Sequence, residues 1–244
     1  MKPSGRVHFS VSTWQQTMPS ACSAARGAVL DDIAARILEF GARRVRVAVD
    51  GLTAAGKTTL AHELAQRIAD TGRVVARASL DDFKRPWSES HLYDRVTGEG
   101  YYRNAFDLEA TRQLLLDPAA PNGTGRVALC SIDPLTQGDH SKTRVDLPAD
   151  GVLIVDGVFA FRPPLDSCWD LRIWLHIDPE LSVRRGIARD AEMEGGTGPA
   201  ETLHRDRYLA AETLYIEEHD PMTVADVVID NTDFDRPVTQ PAVR

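Results

Sequence analysis

Apolar side chains fall at Leu30, Ile33, Ala34, Ile37 and Leu38, the spacing of one helix face, and Gly41 follows as a stop. Residues 44–50 (RVRVAVD) alternate and are β-branched, which predicts a strand. Residues 51–56 are bounded by glycines, and 57–69 (KTTLAHELAQRIA) return to helical period. The pattern recurs. Strands are predicted at 74–80, 126–132, 151–156, 171–177 and 225–229, and helices at 106–116 with Asp107 as cap, at 179–189 and at 201–217. Residues 82–104 are polar, aromatic and aperiodic, and 121–125 and 194–199 carry the Gly and Pro of surface loops.

Strands alternating with helices predict an α/β fold, a mostly parallel sheet covered on both faces, hence three layers. Residues 1–26, rich in Ser, Thr and Gln without sustained period, are expected to be a loosely ordered arm preceding one domain over 27–244. With 244 residues, 43% hydrophobic and 26% charged, the chain has material for a real core and none of the signature of disorder. No apolar run approaches the ~20 residues that cross a bilayer and no leader peptide is legible, so a cytoplasmic location without membrane contact is expected. Cys22, Cys130 and Cys168 have no metal-like spacing and are expected as reduced thiols. The net charge of -8 and the lack of a basic block argue against nucleic acid as a partner, so an anionic ligand needs a locally positive site.

Such a site is written at Gly51-Leu52-Thr53-Ala54-Ala55-Gly56-Lys57-Thr58, which fits G-x-x-x-x-G-K-[ST], followed by Thr59. At this composition the match arises by chance about once in 450 such chains, and here it lies between a strand and a helix, as its mechanism requires. Glycines let backbone N–H groups converge on phosphate oxygens, Lys57 reaches the β and γ phosphates, and the Thr58 hydroxyl ligates Mg²⁺. A plain glycine turn is the alternative. A nucleoside triphosphate with Mg²⁺ is the expected ligand, with ATP or GTP as donor left open, although a GTP switch is disfavoured because no N-K-x-D occurs.

Ligands of open parallel sheets sit beyond the carboxyl ends of the strands, where Asp81 and Asp82 close one predicted strand and Asp156 another. Asp156, after four apolar residues, reads as a Walker B carboxylate, and Thr58, Asp156 and Asp81 make up the expected metal set. Asp81 is chosen as the base for an acceptor hydroxyl. Adjacent strand residues face opposite ways, so only one of Asp81 and Asp82 is expected to point into the site. Arg184, Arg185 and Arg189 share one helix; Arg185 and Arg189 are candidates for neutralising charge on the transferring phosphate, with simple solvation as the alternative. Phe83, Tyr101, Tyr102, Arg103 and His140 are candidates for holding an acceptor, the tyrosines equally for the core. Trp87, Trp169 and Trp174 are expected in the core or at a hinge.

Residues 49–59, Leu80-Asp81-Asp82-Phe83, Ala105-Phe106-Asp107, 156–161 and 184–190 together resemble the uridine kinase and phosphoribulokinase family of P-loop kinases, over roughly residues 44–232. The likeness is strongest to the bacterial branch labelled uridine kinase, through 100–107 (GYYRNAFD) and 225–231 (ADVVIDN). The resemblance implies a P-loop NTPase fold with a mobile lid, here about 186–204, and transfer of the γ-phosphate of ATP to the 5′-OH of a pyrimidine nucleoside. It also implies that Arg189 is a lid arginine and that Asn231 borders the donor base. The ribose-clamping Asp of uridine-cytidine kinases is replaced by Tyr101-Tyr102-Arg103, their base-pocket Tyr and His by Ile132 and a displaced His140, and two lid arginines by Gly186 and Glu194, with Arg205 or Arg207 as substitutes. Kinases of another small alcohol (a sugar, a vitamin alcohol, a nucleoside analogue) and a non-catalytic nucleotide-binding regulatory module stay open, as does homo-oligomerisation.

Overall fold

The computed structural model describes residues 5–12 and 22–240. Strands in chain order are β1 (Val7–Phe9), β2 (Val45–Gly51), β3 (Val75–Ser79), β4 (Arg126–Val127), β5 (Val145–Asp146), β6 (Val152–Asp156), β7 (Leu171–His176), β8 (Val227–Asp230) and β9 (Val238–Gln240). Seven of them form one sheet in the order β1-β3-β6-β2-β7-β8-β9, parallel except where β9 runs antiparallel to β8. Helices are α1 (Ala24–Glu39), α2 (Lys57–Asp70), α3 (Gly98–Asn104), α4 (Leu108–Thr111), α5 (Pro179–Asp190), α6 (Thr197–Thr202), α7 (Ala210–His219) and α8 (Pro221–Val224). No described helix is long and apolar enough to cross a membrane.

The near-continuous apolar strands are buried on both faces, which gives the three layers. On one face α1 and α2 pack Leu30, Ile33, Leu60 and Leu64 on Val47, Val49, Ile154 and Ile173; on the other, Phe83, Tyr102, Phe159 and Tyr215 pack over Ala48, Val155 and Val228. The register pairs Val49 and Ser79 with Asp156 from opposite sides, and Gly51 with Leu175. The carboxyl ends of β2, β3 and β6 therefore lie side by side.

Several expectations change. Within the arm, residues 7–9 form β1 against β3, and Ser10 and Ser12 donate to the buried Asp82 carboxylate, so the buried acid gives this segment a polar anchor; residues 13–21 fall outside the described part. The strand expected at 126–132 shrinks to β4, paired only with β5, because the next N–H groups bond elsewhere: Ala128 to the Leu114 carbonyl and Ser131 to that of Asp82. Asp107 does cap α4, accepting from Ala110 N at 2.9 Å, but the helix then widens into a π-helical turn over Arg112–Leu116. The helix expected from 201 starts at Thr197, with Pro199 in the first turn where its missing N–H is not needed, and passes through a π-helical stretch (Leu203–Leu209) into α7. Trp87 is 60% exposed, whereas Trp169 and Trp174 are buried. The described cysteines, Cys22, Cys130 and Cys168, are free.

A buried polar network ties α1 to the loop after β2. Arg26, fully buried, donates through Nε to Glu63 of α2 at 2.7 Å and through Nη1 to Asn231 Oδ1 at 3.1 Å; Asn231 Nδ2 donates to the Ala55 carbonyl at 2.7 Å. Arg26→Met strands the Glu63 carboxylate in the interior and is expected to cost about 3–5 kcal/mol in urea denaturation. Pairing it with Glu63→Gln should recover a large part of that loss; no recovery in the double variant would show that the ion pair is not what holds α1 in place.

Candidate active site

The loop 51–56 bends where only glycine fits. At Gly51 (φ 153°) a Cβ would stand 2.4 Å from the Leu175 carbonyl oxygen, and at Gly56 (φ 94°) 2.9 Å from Asn231 Nδ2. The loop delivers the chain into α2, whose first N–H groups have no partner within the helix and so face the recess the loop encloses.

Lys57 opens that helix and is buried; its Nζ donates to the Gly51 and Leu52 carbonyls at 2.9 and 2.7 Å. Burial lowers its pKa, opposed by the fields of Glu212, Asp50, Asp156 and Asp81. Glu212, from α7, accepts from Thr53 N at 2.6 Å and Thr53 Oγ1 at 2.7 Å; burial pushes it to about 7 against the pull of Lys57 and these two donors. Asp50, at the end of β2, accepts from the Tyr215 hydroxyl at 2.7 Å, Gly51 N at 2.7 Å and Ala160 N at 2.8 Å; burial raises it to about 6.

The Thr58 hydroxyl donates to Asp156 Oδ2 at 2.5 Å, while Arg77, from the adjacent β3, donates to Oδ1 at 2.7 Å with both side chains nearly inaccessible. Asp81 lies on a 3₁₀ turn (Leu80–Phe83), not on the strand, with Lys84 Nζ 2.8 Å from Oδ1. Burial alone would raise the Asp81 carboxyl, but Lys84, then Lys57 and Arg189, hold it below the usual carboxylate range. Asp82 turns away, and burial pushes it to about 7.

Two recesses meet at these residues. The first, about 260 Å³, is lined by Thr53, Ala54, Gly56, Lys57 and Thr58 of the loop and by Asp81, Asp156, Arg185 and Arg189. The second, about 440 Å³, opens beyond it, and Asp81, Lys84, Tyr101 and Tyr208 line both. Gly51, Leu52, Ala55 and Thr59 shape the loop and the start of α2 without lining either recess. Arg185 donates to the Asn231 and Thr232 carbonyls, and Arg189 grips Asp190 through Nε and Nη2 at 2.7 and 2.8 Å, with His204 Nε2 on the same carboxylate at 2.9 Å.

Six expectations are corrected. Phe83 is fully buried in the core. The Tyr102 hydroxyl and the Arg103 guanidinium turn outward to Glu218 because α3 packs against α7. His140 lines a separate small crevice with Phe9 and Cys130. The Asn231 side chain, fully buried and used on Ala55 and Arg26, braces the phosphate loop from behind, so it has no face left for a nucleobase. Arg205 is engaged by Glu180 and Glu201, leaving Arg207 as the arginine from that stretch which reaches a recess.

Residue patterns alone missed Glu212, Lys84, Tyr208 and Arg77. Arg77 had a signal, a charge in the middle of an apolar strand, which demands a buried partner; Lys84, one of four lysines and three residues after Asp81, had another. Glu212 and Tyr208 had none, since the folding of α7 and the π-helical stretch back over the loop brings them in.

No family model matches the chain. It is 24% identical over 170 residues to the uridine kinase of Leuconostoc citreum (strain KM20), covering 65% of this chain and 74% of that protein. Among solved structures, a possible uridine kinase from Bacillus stearothermophilus matches with a TM-score of 0.64 at 25% identity, covering 83% of this chain and 97% of that one. D-glycerate 3-kinase from Cryptococcus neoformans var. grubii shares the fold, with a TM-score of 0.53 at 16% identity over 76% of this chain and 88% of that one. The chain thus has a P-loop kinase fold and resembles uridine kinases, and these likenesses support a phosphotransferase with a small-molecule substrate.

Because Glu212 titrates near 7 in the folded chain against an ordinary 4.5, the folded state holds its proton more tightly, and stability present below 4.5 is lost as pH rises through 7. Glu212→Gln abolishes this titration, so its stability relative to the parent, from urea melts, should rise by up to about 3 kcal/mol between pH 4.5 and pH 8. A pH-independent difference would show that the carboxyl is not held protonated by burial.

Proposed function

We propose that the protein is a Mg²⁺- and ATP-dependent kinase, a single domain that takes in β1 and α1, that moves the γ-phosphoryl group to a primary hydroxyl of a small molecule. The observation that carries this reading is the wall common to both recesses: Asp81 and Lys84 stand where the space under the phosphate loop meets the larger space beyond. The triphosphate fits the first, with Lys57 and the loop N–H groups on its oxygens, and the acceptor alcohol the second.

In the transfer, the acceptor oxygen forms a bond to the γ-phosphorus as the bond to the bridging oxygen of ADP breaks, and the hydroxyl proton passes to Asp81. A carboxyl held below its usual range by Lys84 is ionised and ready to accept it. Arg185 and Arg189 face the same space as the loop and would offset negative charge on the phosphoryl oxygens. Thr58, Asp156 and Asp81 supply one hydroxyl and two carboxylates along one recess, a hard-oxygen set suited to Mg²⁺, which takes one or two carboxylates beside phosphate and water. When bound, the ion neutralises phosphate charge. The end of α5, the turn at 191–196 and α6 make up the proposed lid of about 186–204, and the relatives named uridine kinase support uridine and cytidine as acceptors to assay.

Asp81→Asn should cut kcat by about 10²–10⁴ in an assay of ADP release. Near-normal turnover would remove the base role. Lys57→Ala should lower kcat by about 10²–10³ through lost stabilisation of the transferring phosphate, in an assay of ADP release. ATP turnover that no alcohol stimulates would favour a regulatory nucleotide-binding module.

A further inference from the structure

Within the second recess, the part not shared with the phosphate loop is lined by three guanidinium groups, those of Arg85, Arg95 and Arg207. The carboxylates lining the same recess are Asp81 and Glu194, and Asp81 is engaged by Lys84. The lining therefore carries an excess of positive charge in a chain whose net charge is -8.

The arginines are poorly compensated by the protein itself. Arg207 lies over the Tyr101 ring at 4.6 Å, its Nε is buried without a hydrogen-bond partner, and among the described residues no carboxylate comes within 4.0 Å of it. Among the described residues, Arg95 donates only to the Arg85 and Pro86 carbonyls. Arg85 reaches Glu89 at 3.7 Å and Asp107 at 3.9 Å, too far for hydrogen bonds. Burial lowers the Arg95 pKa; Glu89 opposes this, and the neighbouring Arg207 and Arg85 add to it, the mark of like charges crowded together.

Like charges gathered in a concave site raise the local concentration of an oppositely charged ligand, and the planar fork of arginine matches carboxylate and phosphate oxygens two at a time. A neutral nucleoside would offer these groups carbonyl and hydroxyl acceptors but no negative charge to balance them. We infer that the acceptor is a small alcohol bearing an anionic group, carboxylate or phosphate, held by Arg95 and Arg207 while its hydroxyl meets Asp81. This rests on the kinase reading and narrows its substrate. Ile132, Pro134 and Leu135, which line the same recess, offer apolar contact to the carbon skeleton.

The test measures Mg·ATP-dependent ADP release by the full chain with four probes that each carry a primary hydroxyl: glycerate, fructose 6-phosphate, uridine and cytidine. At least one anionic probe should exceed both nucleosides tenfold or more in kcat/KM, and whether it is glycerate or fructose 6-phosphate tells carboxylate from phosphate. Arg207→Gln and, separately, Arg95→Gln should raise KM for that probe at least tenfold and shift KM for ATP less than twofold, with Arg207→Lys retaining part of the affinity. A nucleoside preferred over both anions, or a KM for the anion indifferent to both Gln variants, overturns the inference and leaves the kinase intact. Mg·ATP binding with no probe turned over also overturns the inference, and it favours the regulatory nucleotide-binding module over the kinase. Absence of Mg·ATP binding to the unaltered chain would bring down the kinase reading, and this inference with it.

Discussion

A buried ammonium is the constraint around which the site is arranged. Lys57 is forced into the interior because it opens α2 at the point where the phosphate loop folds back over it, and burial without compensation would strip its charge. Two loop carbonyls take its hydrogens, and the fields of four acids, Glu212, Asp50, Asp156 and Asp81, oppose that loss. Those acids are costly to bury in turn. Each is held by further groups: Tyr215 and two backbone N–H groups at Asp50, Thr53 at Glu212, Arg77 and Thr58 at Asp156, Lys84 at Asp81. A polyanion entering the loop would meet Lys57 and a row of unpartnered helix N–H groups, and would relieve the demand on the acids behind them.

Parallel pairing makes this arrangement cheap to build. Asp156 sits in register with Val49 on one side and Ser79 on the other, so the phosphate loop after β2, the 3₁₀ turn after β3 and the end of β6 converge without a long connection. Arg77 reaches Asp156 across one strand spacing, which links the site to the core of the sheet.

Local signals in the sequence carried the frame. The alternation at 44–50, the glycine-bounded loop and the helical period after Lys57 correspond to β2, the phosphate loop and α2 within a residue or two, and the acids at strand ends stand where the topology gathers them. Features set by distant contacts were not legible. The pattern around Tyr101, Tyr102 and Arg103 gave no phase: α3 turns Tyr101 into the recess and its two neighbours out to Glu218. Asn231 was placed near a ligand by resemblance, yet its partners Arg26 and Ala55 lie 205 and 176 residues away. The apolar run after Val127 looks like a strand and is not one, because its backbone bonds go to carbonyls of the π-helical turn at Leu114 and the 3₁₀ turn at Asp82. The arginines of the second recess come from three segments, and only the fold shows that they face one space.

Tyr101 and Tyr208, with Asp81 and Lys84, belong to the boundary of both recesses. Whatever occupies one cavity thus becomes part of the container for the other. Thermodynamic reciprocity then requires that, for two small molecules bound there together, any change the first makes in the affinity for the second is matched by an equal change that the second makes in the affinity for the first.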